Sequence, residues 1–303
     1  MSKAIGFVII SHDYPRQLLR LVRCLQQNYD NPPIAIHHDF GQSQITRGDF
    51  PSDIQFVSPH VKTRWAQFSI VTAGLRALEL LYKNATPNWF VLLSGADYPV
   101  MPADRVLKEL MSIDKDALLE YREVPTSLSP SHLSAPENPD VRHFSLPGNL
   151  ALAWRRYIGL NFWFPVIRSG PRIGRYTIHL PIKDWRSPFG DQFKCFYGDQ
   201  WFTGTRKVAD ILLNPSKKHM RLRHYLRLRT VPDECYYQTI IANTPNLKIS
   251  KATRRFSDWA GGSHPKVLGL HDLEAIVTSK AHFARKFAPE SPVLDEIDKM
   301  LSR

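Results

Sequence analysis

Apolar runs that each end in polar residues constrain the fold of this chain more than any other feature of its sequence. The run Ile5–Ile10 (IGFVII) is uninterrupted, which is typical of a central parallel strand covered on both faces. Residues 15–26 and 65–84, which lie between such runs, place their apolar positions at helical spacing. The strand-like segments are Ile5–Ile10, Pro33–Asp39, Ile54–Pro59 and Trp89–Val100. This alternation predicts an α/β fold with a doubly wound sheet flanked by helices.

Polar clusters stand at the ends of three of these predicted strands. The clusters are Ser11-His12-Asp13, His37-His38-Asp39 and Ser94–Asp97. In a doubly wound sheet the ligand lies beyond the carboxyl ends of the strands, so we expect the clusters to border one site. Consecutive residues of a strand point to opposite faces, so His37 and His38 are poorly placed to share a metal ion. No Asp-x-Asp follows a predicted strand either, and we expect no metal site.

Length and composition fit one large domain. The chain has 303 residues, of which 43% are hydrophobic, enough to bury a sizeable core. The apolar run near the N-terminus is too short to span a membrane and lacks a small-residue cleavage site. The three cysteines, Cys24, Cys195 and Cys235, are widely spaced and odd in number, which favours a reducing compartment. These features predict a cytoplasmic protein.

An excess of basic residues indicates a partner that is anionic in part. The formal net charge is +12 and the isoelectric point is about 9.7, which suits nucleic acid, a membrane surface or a phosphorylated substrate. Six Lys or Arg residues fall within Lys217–Arg229, a run that also fits an ordinary solvated helix face. Because no nucleic-acid-binding motif accompanies this run, we do not expect a nucleic-acid partner.

Two adjacent acids open an apolar, helix-like segment at Thr230–Thr244. Pro232 suits the first position of a helix, and Asp233 and Glu234 in the first turn complement the helix dipole. Both acids lie at the edge of the apolar stripe, because they precede Tyr237 by four and three residues. Local chemistry therefore favours helix capping, and helical phase does not decide which acid faces a cleft.

Two cations near the C-terminus suit a phosphate ligand. Arg285 and Lys286 lie between Phe283 and Phe287. Basic side chains held between aromatic anchors can present fixed charge to a diphosphate. The alternative is a helix C-terminus, where positive charge is also favoured.

Taken together, these segments follow the pattern of a known family over nearly the whole chain. In order they are IGFVIISHD, IAIHHD, RWAQFSIVTAGLRALELL, FVLLSGADYPV, GDQWFTGTRKVADILL, VPDECYYQTIIANT, GGSHPKVLGLHDL and FARKF. LSGADYP and PDE are the most specific. The chain resembles the core-2/I-branching β-1,6-N-acetylglucosaminyltransferases and the peptide O-xylosyltransferases, and we expect a bacterial member of that family.

The resemblance implies a GT-A-like, Rossmann-like fold with a mixed sheet in a single domain, 1–303. Residues 1–124 would form the nucleotide-sugar-binding half of this domain. Residues 125–190 would be an irregular insert on the acceptor side, and 191–303 the catalytic and diphosphate-binding half.

The resemblance also implies a reaction. A sugar, N-acetylglucosamine or xylose, would pass from a UDP-sugar to a hydroxyl of a glycan or glycolipid, with inversion and without a metal or other cofactor. By position in the motif, Glu234 would be the general base that takes the proton of the acceptor hydroxyl. Asp233 would remain the helix cap.

The remaining site residues are assigned by the same resemblance. Lys286 and Arg285 would neutralise the leaving diphosphate. The family's arginine near the glycine turn has no clean equivalent here, and Lys266 or His264 is the substitute. The UDP-sugar would contact His12, Asp39, Trp65, Ser69 and Asp97. The acceptor would contact Glu120, Glu123 and Trp201.

The animal members that the chain resembles are anchored lumenal proteins with disulfides, features not expected here. We therefore expect a cytoplasmic enzyme of surface-polysaccharide or lipid-linked glycan synthesis. It would be peripheral at the inner face of the plasma membrane, where the basic run could contact anionic lipid. Two rival hypotheses are a non-catalytic glycan- or nucleotide-binding protein of the same fold and a basic nucleic-acid-binding protein. Glu234 and Lys286 argue against the first rival.

Overall fold

A seven-stranded mixed sheet runs through the centre of the molecule. The computed structural model describes residues 3–124, 172–173, 176–177, 186–229, 231–259 and 265–302. In spatial order the strands are β12 (Ile249–Ser250), β6 (Ala117–Leu118), β11 (Thr203–Thr205), β4 (Trp89–Ser94), β1 (Ile5–Ser11), β2 (Ile34–His38) and β3 (Gln55–Phe56). Within this sheet only β11 runs antiparallel to its neighbours. The predicted α/β class and mixed sheet are confirmed.

The strand register aligns the predicted polar clusters. β1 pairs with β2 so that Ser11 lies opposite His38, and with β4 so that Ile10 lies opposite Ser94. All seven residues of β1 are buried, as expected for a parallel strand with both faces covered. The three strands therefore end at one edge, and the polar clusters lie together there as predicted.

Two hydrophobic cores cover the two faces of the sheet. Along β1, Phe7 and Ile9 belong to one core, and Val8 and Ile10 to the other, which is the period-2 alternation of a strand. The first core is covered by α1 (Pro15–Asn28), α3 (Ala103–Ser112), α7 (Leu273–Thr278) and α8 (Pro292–Leu301). The second core is covered by α2 (Phe68–Asn84), α4 (Arg206–Leu213), α5 (Lys217–Leu226) and α6 (Tyr236–Ala242). Helices on both faces define a doubly wound sheet.

One predicted strand, Trp89–Val100, is divided between two sheets. After β4 the chain turns at Gly95, and β5 (Tyr98–Pro99) joins β14 (Phe283–Arg285) and β13 (Arg255–Ser257) in a three-stranded sheet. A Cβ on Gly95 would lie 3.0 Å from the Cβ of Ser11, so the turn packs closely on the end of β1. The sequence prediction treated Trp89–Val100 as one strand with a polar end and did not separate β5 from β4.

The remaining elements are short. β7 (Arg122–Glu123) pairs with β10 (Phe196–Tyr197), and β8 (Arg172–Ile173) pairs with β9 (Tyr176–Thr177). Among the residues that the structure describes, three 3-10 turns occupy Arg47–Asp49, Pro232–Glu234 and Leu270–Asp272. Most of the predicted insert, 125–190, lies outside the described residues. Among the described helices, none combines the length and the apolar character that a membrane span requires.

The cysteines are reduced and buried. Cys24 packs in the first core, whereas Cys195 and Cys235 pack in the second with their sulfur atoms 3.5 Å apart. Burial raises the pKa of Cys24 to about 12 and raises that of Cys195 as well. Thiols in such surroundings stay protonated and unreactive.

Candidate active site

The backbone of Gly198 joins two of the predicted site residues. Its N–H donates to the carbonyl oxygen of Glu234 at 2.9 Å. A Cβ at this position would stand 2.2 Å from the carbonyl oxygen of Glu120, so the close approach requires glycine. The next residue, Asp199, donates its N–H to the Glu120 carboxylate at 3.2 Å. The structure therefore brings Glu120 and Glu234 to one junction.

Strand direction places this junction at the edge where the polar clusters lie. β6 is parallel to β4 and ends at Leu118, so Glu120 lies just beyond its carboxyl end. β11 runs in the opposite direction, so residues just before it, including Asp199 and Trp201, lie at the same edge. Gln238 of α6 donates to the Asp199 carbonyl at 2.7 Å and fixes this approach.

A buried carboxylate positions Arg285 at the same edge. Asp97 is 1% exposed and accepts hydrogen bonds from the N–H of Ser94 at 3.0 Å, from its hydroxyl at 2.6 Å and from Arg285 Nε at 3.1 Å. The guanidinium carbon of Arg285 lies 4.9 Å from the centre of the Trp201 ring, a cation–π contact. Asp97 is thus engaged by protein groups, and Arg285 is fixed from two sides.

Hydrogen bonds connect the predicted nucleotide-binding residues. The Ser43 hydroxyl donates to the carbonyl of His12 at 3.0 Å, and the Ser43 N–H contacts the carbonyl of Asp39 at 3.4 Å. The Asp39 carboxylate accepts from Thr63, through its N–H at 2.6 Å and its hydroxyl at 2.9 Å. The N–H of the residue after Thr63 donates to the Ser69 hydroxyl at 3.0 Å. The structure brings His12, Asp39 and Ser69 into one cluster, formed by the loops beyond β1 and β2 and the start of α2.

Asp39 holds this cluster through its charge. Burial opposes ionisation, but hydrogen bonds from Gln42 and Thr63 outweigh burial and lower the pKa of Asp39 to about 2. The carboxylate is therefore ionised at neutral pH and accepts hydrogen bonds from the surrounding loops. Trp65, on the same loop as Thr63, is 76% exposed.

Lys266 and Lys286, the two lysines proposed to bind the diphosphate, lie side by side. Lys266 already forms ion pairs within the protein, whereas Lys286 is exposed. The backbone N–H of Lys286 contacts the carbonyl of Lys266 at 3.5 Å. Lys266 Nζ is held by Asp272 at 2.7 Å and lies 3.9 Å from Asp258, and the hydrogen bond to Asp272 raises its pKa. Lys286 is exposed, and no described residue forms an ion pair with it. The geometry favours Lys286 over Lys266, while His264 lies outside the described residues.

The acid pair occupies a separate turn, which corrects the predicted start of the helix. Pro232–Glu234 forms a 3-10 turn, and α6 begins only at Tyr236. The N-cap residue of the turn is Val231 and that of the helix is Cys235, and neither makes a side-chain cap hydrogen bond. Asp233 is therefore not the helix cap that the sequence predicts. Glu234 is half-buried, and its carbonyl is fixed by Gly198.

The predicted acceptor carboxylates lie in different surroundings. Glu120 is buried, with the guanidinium of Arg122 at 3.4 Å from its carboxylate. Glu123 lies exposed on β7, where Lys194 pairs with its carboxylate at 3.1 Å. Glu120 thus belongs to the junction around Gly198, whereas Glu123 is engaged on the outer surface of the β7–β10 pair.

The histidines at the end of β2 have structural partners. His37 Nε2 accepts the N–H of Val61 at 2.9 Å, and the His38 ring is hydrogen-bonded to the Ser11 hydroxyl at 2.9 Å and the Ser43 carbonyl at 2.8 Å. Burial lowers the pKa of His37 to about 4, so its ring is neutral at physiological pH. Over the described part of the chain, no three His, Cys, Asp or Glu side chains are grouped to hold a metal ion.

Sequence reasoning missed Gly198, Asp199 and Arg255 as site residues. The first two stand just before β11, in the family segment that begins at Gly198. Arg255 is buried, and its Nη2 donates to the carbonyls of Leu92 at 3.2 Å and Phe202 at 3.3 Å, which ties β13 to the central sheet. Burial lowers its pKa to about 10. A polar Asp-Gln pair before an apolar run could have indicated Asp199, whereas no local pattern indicates Arg255.

A mostly parallel sheet with helices on both faces, and with carboxylates and cations beyond its strand ends, is consistent with a GT-A-like fold. The sequence model of the Core-2/I-Branching enzyme family matches residues 5–128 and 169–280, more than half of the chain. The chain belongs to this family. The resemblance to this family stated above is confirmed.

Two curated relatives from Arabidopsis thaliana are similar to 73% of this chain. Beta-glucuronosyltransferase GlcAT14B is 27% identical over 228 residues. Beta-glucuronosyltransferase GlcAT14A is 28% identical over 234 residues. The chain spans less than half the length of these relatives, 46% of the first and 44% of the second.

Proposed function

We propose that this chain is an inverting glycosyltransferase that moves a sugar from a UDP-sugar to a hydroxyl of a glycan, with Glu234 as the general base. The junction at Gly198 carries the proposal. It fixes the turn of Glu234 beside Glu120, at the edge of the sheet where ligands of such folds bind. Membership of the Core-2/I-Branching enzyme family supports the reaction class.

In the proposed reaction, the Glu234 carboxylate accepts the proton of the acceptor hydroxyl. The hydroxyl oxygen then attacks the anomeric carbon from the face opposite the diphosphate, as in inverting glycoside chemistry. The bond between the anomeric carbon and the diphosphate oxygen breaks, and its electron pair leaves with UDP. Attack from the opposite face inverts the configuration.

The leaving diphosphate requires positive charge, which Arg285 and Lys286 would supply without a metal. Asp97 and the Trp201 ring hold the Arg285 guanidinium in place, so its charge is oriented before the reaction begins. Lys286 follows directly and is exposed at the same edge. A flexible lysine beside a fixed arginine suits a group whose charge grows as it leaves.

The donor sugar has three candidates. N-acetylglucosamine and xylose follow from the family resemblance, and glucuronic acid follows from the names of the two plant relatives. All three donors carry the same UDP, so the proposed roles of Glu234, Arg285 and Lys286 are independent of the sugar.

Transfer and UDP release can test the proposal with all three donors, with and without a chelator. We expect Glu234→Gln to lower kcat by about 10² to 10⁴, because it removes the general base, and to leave the donor KM nearly unchanged. The neighbouring Asp233→Asn is the matched control and should retain activity. Full activity in Glu234→Gln, or an equal loss in Asp233→Asn, contradicts the assigned base. Loss of wild-type activity on chelation contradicts the metal-independent reaction.

A further inference from the structure

Helix α5 presents an outward stripe that mixes cations with apolar side chains. Its buried side is formed by Leu222, Tyr225 and Leu226. Residues spaced three and four apart share one face of a helix. The exposed residues from Lys217 onward follow this spacing along α5 and through the turn after it, and they form the exposed stripe. The stripe, here called the basic face, consists of Lys217, Met220, Arg221, His224, Arg227 and Leu228.

A second loop extends the basic face. The N–H of Val231 donates to the carbonyl of Ala66 at 3.0 Å, and the Arg227 guanidinium lies 6.0 Å from the centre of the Phe68 ring. These contacts bring the 62–65 loop beside the end of α5. That loop adds three more exposed side chains, Lys62, Arg64 and Trp65.

The two segments contain cations without intervening acids. No Asp or Glu occurs in 54–78 or in 211–229, so the cations of the basic face have no carboxylate within their own segments. Apolar side chains stand among them, since Leu228 is 46% exposed and Trp65 is 76% exposed. Separate exposed apolar residues are ordinary on a protein surface, but their placement between these cations is not explained by solvation alone.

We infer that the basic face docks on an anionic lipid bilayer. Lys and Arg near an anionic leaflet are attracted to its surface potential, and the tryptophan and aliphatic side chains would enter the boundary between headgroups and acyl chains. A nucleic-acid backbone would match the cations but would leave Met220 and Leu228 without an apolar partner. Leu228 precedes Glu234 by six residues, so docking holds the candidate active site near the lipid surface.

Sedimentation with vesicles tests this docking, and no donor or acceptor is needed, so the result is independent of the proposed reaction. The wild type should bind vesicles of phosphatidylcholine with phosphatidylglycerol, more weakly as salt is raised, and should not bind pure phosphatidylcholine. Each Lys or Arg side chain near the membrane surface raises the partition coefficient of the protein onto the vesicles roughly fivefold. The triple variant Lys217→Ser, Arg221→Ser, Arg227→Ser should therefore lose binding by about a hundredfold.

The matched control removes the same charge from the opposite face of the sheet. Arg23, Arg105 and Lys108 are exposed on α1 and α3, and changing all three to Ser should leave vesicle binding unchanged. Leu228→Ser alone should weaken binding while keeping the charge. Equal binding by the two triple variants overturns the assignment, as does wild-type binding to single-stranded RNA that exceeds its binding to anionic vesicles.

Discussion

Replacing Gly198 with alanine tests the junction on which the candidate site depends. The added Cβ would stand 2.2 Å from the carbonyl oxygen of Glu120, whereas real Cβ contacts are essentially never shorter than 3.0 Å. The obstructing atom belongs to the backbone, so either Gly198 or Glu120 must move by nearly 1 Å. A displacement of this size in a catalytic group can lower the rate by about a hundredfold, and overpacking costs about 1 to 3 kcal/mol of stability.

The assay compares Gly198→Ala with Gly48→Ala, in transfer kinetics and in urea unfolding. Gly48 is the matched control, since a Cβ there meets no atom within 4 Å. We expect Gly198→Ala to lose activity at temperatures where it remains folded, because the contact of its N–H with Glu234 is displaced. If Gly198→Ala matches Gly48→Ala in both rate and stability, the junction does not position the site.

Two further predictions concern charge. A pKa held near 2, below the usual 3.8, makes ionised Asp39 worth roughly 2 kcal/mol of stability above pH 4, and this stabilisation is lost as the pH falls from about 4 to about 2. Asp39→Asn should therefore be less stable than the wild type by roughly that amount at pH 7 in urea unfolding, with the difference shrinking towards pH 2; a difference independent of pH contradicts this. Lys286→Ala should weaken UDP binding by about tenfold in calorimetry, whereas Lys266→Ala, whose cation already pairs with a carboxylate, should weaken it far less. The reverse order of effects contradicts the assigned cation.

The sheet and its polar edge could be predicted from the sequence, because uninterrupted apolar runs are typical of strands that are buried on both faces. Ser11, His38 and Ser94 stand at the ends of such runs, and parallel pairing aligns them without further information. The polar residues around Gly95 marked an end of β4, but the pairing of Tyr98–Pro99 with β14 depends on a strand that lies far away in sequence.

The inner part of the candidate site depends on contacts that are distant in sequence. Glu120 and Asp199 meet only because β11 is reversed between two strands of the opposite direction. Arg255 turns inward to the carbonyl of Leu92 in β4 and to that of Phe202, just before β11. Periodicity within one segment carries no information on such partners. The position of Glu234 came from the family motif, and the structure adds its backbone contact with Gly198.

The placement of the cysteines makes the two cores separately observable. Cys24 lies on one face of the sheet, and Cys195 and Cys235 lie on the other. A thiol reagent added to the native protein modifies such buried groups only when the surrounding core opens. The labelling rate of Cys24 would therefore measure opening of the α1 face, and that of the Cys195–Cys235 pair opening of the face that carries α6. The rates of local unfolding of the two hydrophobic cores could be measured in one experiment, without introducing any probe.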